Sequence, residues 1–340
     1  MRFGLFGSAQ ARRGQTPAEA MRGFRDYVEL NVEAEALGLH STFLVEHHFT
    51  GIGQVSASLD LLAWVAAATT RLRVGTAVIV LPWHNPVLLA EQAATLDLMS
   101  GGRLDFGVGR GYRHSEYEGF CIPFDEAGAR FEEALAVIVK AWSSDQRFSH
   151  AGRFWQYKDI VVEPPCAQRP HPPVWIAAGQ PQSIARVAEL GANLLLDQFA
   201  STAQVAERIA LYKAGVEARG RAFDPMQVAV ARNLYVAHTA AEAAAALQRQ
   251  AQSNAKLVEL SRRPDGANRS HILAYAETAG GTEASALYGQ PDWIASELTA
   301  LHDAGARYVL LNGGGDVRQS LRRFASEIMP AFGAAAEPAR

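Results

Sequence analysis

The sequence predicts an α/β fold, a (β/α)8 barrel with insertions, and three observations point to it. Eight short β-rich runs alternate with helical patterns along the chain. Several of those runs are apolar almost throughout, as strands covered on both faces should be. Charged and polar residues gather where the runs end. A doubly wound sheet has no need of so many units in one row.

The elements follow in order. Phe3–Gly7 is the first strand. Residues 18–37 place Met21, Phe24, Val28 and Val32 at helical spacing, and Gly38 ends the helix. Thr42–Val45 is the second strand, and 59–68 is helical. The run "LRVGTAVIVLP" (72–82) reads as one long third strand, with a helix at 87–99. "GGRLDFGVGRG" (101–111) is the fourth strand, entered through glycines, with a helix at 130–142. Strands at 172–179, 192–198, 227–237 and 306–312 complete the count, with helices at 183–190, 203–219, 240–260 and 317–329.

Two stretches break the alternation. Residues 145–171 read as an inserted hairpin with an extended segment. Residues 261–290 are polar and rich in Gly, Ala and Ser, a pattern expected of a lid or mobile loop. A single domain over 1–332 and a frayed tail over 333–340 are expected.

Composition narrows the function. The 340 residues carry a net charge of −3, which gives no general reason to expect nucleic acid or an anionic membrane as partner. Two distant cysteines make neither a disulfide framework nor a metal pair. With no signal-like leader and no stretch long enough to cross a bilayer, a cytoplasmic location is expected.

The polar strand ends carry the chemistry, because such barrels react at the carboxyl ends of their strands. "LVEHHFTG" (44–51) sets Glu46, His47 and His48 at the end of strand two. These residues could equally cap a turn, but their position and density favour a functional role. Adjacent strand residues point to opposite faces, so His47 and His48 do not readily share an ion, and no metal is expected. In "GVGRGYRH" Arg110 stands between Gly109 and Gly111 as a cation with a planar fork of donors. After the fifth strand, "AAGQPQS" reads Gly179, Gln180, then Pro181 at a helix start, with Ser183 in the first turn. A helix start suits a phosphate, and an ordinary cap explains it as well. Arg110 and this helix start come from neighbouring strands and are expected to converge on one phosphate. Small residues Gly75, Thr76 and Ala77 in the third strand leave room for a flat group, or simply pack the barrel core.

Taken together, "FLVEHHFT", "VGTAVIVLP", "NPVLLAEQAATLDLMSGGRLDFGVGRG", "PPVWIAAGQPQSIARVAELG" and "YGQPDWIASEL" resemble the bacterial luciferase-like flavin monooxygenases, in particular their luciferase alpha-subunit branch. The resemblance spans nearly the whole chain and implies a TIM barrel that binds FMN at its strand ends. It implies that His47 assists breakdown of the flavin peroxide. It assigns Arg110, Gly179, Gln180 and Ser183 to the FMN phosphate, and Ala77 and Val78 to a non-prolyl cis peptide against the flavin ring. Glu46, Gly111, Tyr112 and Ala177 complete the implied cofactor-binding set.

Reduced FMN from a separate reductase, O2 and a small organic substrate, an aldehyde among the candidates, are the implied reactants; a homodimer is the implied assembly. Trp64, on the 59–68 helix, fits either that interface or a buried core. The chain departs from the luciferase pattern at Gly109, where that branch has a reactive cysteine, at Gly179 and Gln180, which replace an acidic residue and a serine, and at Asn85, which replaces a histidine with His84 one place earlier. Two other readings stay open. One is a deazaflavin-dependent hydride transfer, with Arg12, Arg13 and Arg113 taking a longer acidic cofactor tail. The other is a non-catalytic flavin-binding subunit.

Overall fold

The computed structural model describes residues 1–260, 281–313 and 316–333. Its strands are β1 (Arg2–Gly7), β2 (Ser41–Leu44), β3 (Arg73–Thr76), β4 (Ile79–Val80), β5 (Leu104–Gly109), β6 (Phe148–Ala151), β7 (Gln156–Ile160), β8 (Val174–Ala177), β9 (Asn193–Leu196), β10 (Val228–Val236), β11 (Leu287–Gly289) and β12 (Tyr308–Gly313). Its helices are α1 (Pro17–Ala36), α2 (Ser58–Ala68), α3 (Pro86–Met99), α4 (His114–Gly119), α5 (Ala127–Ser143), α6 (Pro181–Leu190), α7 (Thr202–Glu217), α8 (Ala240–Leu260), α9 (Pro291–Asp303) and α10 (Val317–Arg323). Strands β10, β12, β1, β2, β3, β5, β8 and β9 pair in that order, and β9 pairs back to β10, so the sheet closes into the predicted (β/α)8 barrel.

The chain divides into two compact units. The first comprises 1–7, 29–43 and 176–340. There β1 runs parallel to β12 with Arg2 opposite Tyr308 and Leu5 opposite Leu311, and β10 pairs β12 from Ala229 to Leu234. Val309, Leu310, Leu311 and Val230 are buried, and Phe3 meets Phe324 edge-on at 5.0 Å. The second unit comprises 8–28 and 44–175. Leu104, Phe106 and Val108 of β5 are fully buried, with Trp142 of α5 edge-on to Phe106 at 4.9 Å. Asp105 accepts from Arg73 Nε at 2.7 Å and from the Trp175 indole at 3.1 Å, so this buried carboxylate is fully engaged.

Local chemistry sets the helix boundaries. Asn85 accepts from the Val87 and Leu88 amides at 3.1 Å, capping α3 ahead of Pro86. Ser201 and Gln204 form a reciprocal capping box at the start of α7. Gly191 closes α6 at φ 72°, a conformation that other residues adopt at a cost.

Three expectations need correction. The 72–82 run is two strands, β3 and β4, and the cis peptide expected between Ala77 and Val78 is present between them. Its uniform hydrophobicity hid the break. Inside the 261–290 stretch, residues 261–280 lie outside the described residues, but 287–289 form β11, parallel to β10 with Leu287 opposite Leu234. The 317–329 helix keeps regular geometry only to Arg323, then widens over Phe324–Ile328. Residues 145–171 do contain a hairpin, β6 against β7. Of the expected tail, 334–340 lie outside the described residues.

Candidate active site

Strand β2 runs straight into Glu46, His47 and His48, and the two imidazoles part company there. The Glu46 carboxylate is buried, at 2% exposure. Its Oε1 meets the Nε2 atoms of His48 and His84, each at 2.8 Å, and its Oε2 accepts the Val80 amide at 2.8 Å. Burial alone would push this carboxyl up, but the hydrogen bonds from His48 and His84, the charge of His84 and the Val80 amide bring it down to about 2. Glu46 thus ties β4 and the turn after it to the end of β2.

His47 turns the other way. Its Nδ1 lies 3.0 Å from Glu116 Oε1, which also accepts the His48 amide at 2.9 Å. Glu116 is in the first turn of α4 and, like Arg113 just before that helix, is 2% exposed. Arg113 Nη1 lies 3.7 Å from Glu116 Oε1. Tyr112 presents its ring edge to His47 at 6.3 Å. Burial pulls the His47 imidazole below its ordinary value; the Glu116 hydrogen bond opposes that, and the Arg113 charge adds to it. The result is an imidazole that is neutral near pH 7 and can take up a proton.

Around them stands an aromatic wall. Trp83 stacks on Phe120 at 5.3 Å and meets Tyr117 at 4.9 Å, and His48 meets Phe120 at 4.7 Å. The Tyr117 hydroxyl donates to the Arg110 carbonyl, fixing the loop after β5 while the Arg110 side chain stays exposed. Gly111 has φ 78°, and a Cβ there would meet Val80 Cγ1 at 2.6 Å, so only glycine fits. Thr76 is fully buried and bonded to both Gly107 backbone groups, at 2.6 and 2.9 Å, which gives it a structural job.

The remaining predicted positions lie in the first unit. Helix α6 begins at Pro181 without a side-chain cap from Gln180. The first helical bond runs from the Ile184 amide to the Gln180 carbonyl, so the Gln182 and Ser183 amides precede the ladder and suit an anion. Ala177, Gln180 and Ser183 are exposed. At Gly179 a Cβ would come within 3.2 Å of the Arg208 guanidinium, which is paired with Asp197 at 3.0 Å. Glycine therefore keeps a shallow cradle open above a fixed cation.

Sequence reasoning missed Glu116, Arg208 and Asp197, and read Arg113 only as a contact for a cofactor tail. Arg12 and Arg13 are exposed, whereas Arg113 is buried against Glu116. No local pattern in the sequence marked Glu116, five residues after Gly111, as a buried group. Among the described residues no group of three or more His, Cys, Asp or Glu side chains is placed to hold a metal ion, and no helix is long and apolar enough to cross a membrane.

The model of the luciferase-like monooxygenase family matches residues 1–308. The oxygenase component of flavin-dependent trigonelline monooxygenase from Acinetobacter baylyi is 33% identical over 196 residues, which is 57% of this chain and 53% of that protein. An F420-dependent glucose-6-phosphate dehydrogenase from Amycolatopsis mediterranei is 34% identical over 168 residues, 47% of this chain and 49% of that one. The chain thus spans about half the length of the curated relatives it matches. Among solved structures, the monooxygenase RslO1 from Streptomyces bottropensis superposes with a TM-score of 0.83 at 26% identity, covering 98% of this chain and all of that one.

Proposed function

The chain belongs to the luciferase-like monooxygenase family, and on that premise we propose that it is the oxygenase of a two-component system, taking reduced FMN from a separate reductase and using O2 to oxidise a small organic substrate. His47 carries this reading: a largely buried, neutral imidazole braced by a carboxylate at the end of a barrel strand. Reduced FMN, when bound, supplies the activation of dioxygen that no side chain can provide.

The chain's own residues do the rest. The open amides of Gln182 and Ser183, with the Gly179 cradle and Gln180, fit a phosphate, and Arg110 is assigned to the same group. Ala77, Val78, Gly111, Tyr112 and Ala177 are assigned to the body of the cofactor, where the bare glycine lets backbone approach closely. Glu46 acts from behind, through His48, His84 and the Val80 amide. His47 holds or passes a proton, and Trp83, Phe120 and Tyr117 keep water from the reacting groups. An aldehyde or another electrophilic small molecule suits this chemistry.

The test is substrate-dependent oxygen consumption with FMN, NADH and an added flavin reductase, over a panel of aldehydes and ketones. Turnover that needs the chain supports the reading; no binding of reduced FMN under anaerobic conditions would end it. The second reading, hydride transfer with a deazaflavin, is favoured by the identity to the F420-dependent relative. A measured preference for F420 over FMN would select it. The proposed homodimer uses α2, where Trp64 is 45% exposed beside a cleft of about 380 Å³ lined by Phe24 and Leu61. Trp64→Glu is expected to shift the elution volume to that of a monomer.

A further inference from the structure

Resting on the reading of His47 as the proton-handling group, we propose that Glu116 and Arg113 are a positioning pair: Glu116 holds His47 by Nδ1 so that Nε2 faces the reaction, and Arg113 is a buried counter-charge that balances Glu116 without taking its hydrogen bonds. The first half follows from the donors around one oxygen. Glu116 Oε1 accepts the His48 amide at 2.9 Å, and that backbone donor cannot be redirected without moving the end of β2. The second contact to the same oxygen is His47 Nδ1 at 3.0 Å, and a carboxylate can only accept, so Nδ1 carries the proton. The neutral ring then keeps its lone pair on Nε2, which makes no hydrogen bond to any described residue.

The second half follows from what Arg113 does not do. At 3.7 Å its Nη1 is too far from Oε1 for a hydrogen bond, yet close enough for a strong charge interaction in a buried setting. Its Nε and Nη1 are buried and find no acceptor. Leaving guanidinium donors unpaired is costly, and the arrangement makes sense if the charge itself is what the site requires. A bonded arginine would compete with His47 for the only carboxylate oxygen that holds it.

The groups facing His47 act in opposite senses. Burial lowers its proton affinity, Glu116 of α4 raises it, Arg113 before α4 lowers it, and Glu46, its neighbour after β2, raises it, while the Tyr112 ring stands perpendicular to it. The pair therefore orients the ring while its two members push the proton affinity of His47 in opposite directions. Removing Glu116 must move the histidine's titration down and removing Arg113 must move it up, and loss of the Nδ1-protonated tautomer in the Glu116 variant is the signature that a charge acting only through space would not give.

The experiment is nitrogen-15 NMR of the histidines in the full chain, without cofactor or substrate, with the His47 signal identified by its loss in His47→Gln. Wild type is expected to show the Nδ1-protonated tautomer. Glu116→Gln should move the His47 midpoint down and blur the tautomer preference. Arg113→Gln should move the midpoint up, and Arg113→Lys should leave it near wild type. In turnover, Glu116→Gln should lower kcat by about 10-fold or more with little change in KM. Midpoints that shift in the same direction, or a wild-type ring protonated at Nε2, would overturn the proposal. If Arg113→Gln fails to fold by circular dichroism, Glu116→Asp and Arg113→Lys decide it, since both keep the charges and only the aspartate shortens the reach to Nδ1. Because the NMR result involves no flavin, it stands or falls separately from the oxygenase reading.

Discussion

Two carboxylate–histidine clusters take their histidines from adjacent positions, His48 and His47, and they are built on opposite plans. Around Glu46 everything is paired: both oxygens are used, two imidazoles and an amide converge on them, and the carboxyl is pinned down to about 2. Around Glu116 the accounts stay open. Arg113 has unpaired donors, His47 has an unbonded nitrogen, and burial and charge compete over its proton. A closed polar network fixes a fold, whereas an open one keeps a group available for chemistry. The two histidines adjacent in sequence belong one to each plan.

Substitutions can break this contrast, and the largest effect is expected at His47. His47→Ala should lower substrate-dependent oxygen use by roughly 10²- to 10⁴-fold, with an unchanged circular dichroism spectrum. The mirror experiment is Glu46→Ala. It leaves His48, His84 and the Val80 amide without their acceptor, and should cost about 3 kcal/mol in urea unfolding, against a much smaller loss for His47→Ala. Equal stability losses in the two variants would erase the distinction.

Acid should separate the clusters again. Glu46 has a depressed folded-state value, so its contribution is complete above 4.5 and is lost as pH falls from there towards about 2. Glu46→Gln should therefore flatten the stability curve in that window. His47 is also depressed, but as a base. The unfolded chain takes up its proton first as pH drops below 6.5, so stability declines from there and levels off below the folded value. His47→Gln should remove that slope and leave the more acidic one intact.

A third carboxylate gives the smallest effect and sharpens the rule. Glu133 on α5 accepts the amides of Arg153, Phe154 and Trp155 and meets His150 at 3.2 Å, clasping the turn of the β6–β7 hairpin. It is another closed network, but nearer the surface. Glu133→Ala should cost about 1 kcal/mol and speed hydrogen exchange at 153–155 without touching turnover at saturating substrate.

Much of this was legible in the sequence, and the misses have physical causes. The eight barrel strands stand out because buried parallel strands are uniformly apolar, and α6 announces itself through Gln180-Pro181. That same uniform hydrophobicity concealed from composition the break between β3 and β4, to which only the family resemblance pointed, through the cis peptide at Ala77 and Val78. β11 was missed because three residues in a polar, glycine-rich setting show no periodicity.

At the site, His47 and Glu46 could be found because imidazole and carboxylate are conspicuous after an aliphatic strand. Glu116 could not. "YRHSEYEG" reads as a short solvated helix, and nothing in it tells that Glu116 and Arg113 are buried while Glu118 is exposed. Asp197 and Arg208 meet through the packing of α7 after β9, a contact set by fold and not by local pattern.

The most direct test of the oxygenase account is rapid mixing of reduced FMN with oxygen, following flavin absorbance in buffer, with the wild-type chain and with His47→Ala. The account predicts that wild type alters the course of flavin oxidation relative to buffer, and that His47→Ala binds reduced FMN yet gives a different time course from wild type. Identical traces in buffer and with wild type would contradict it.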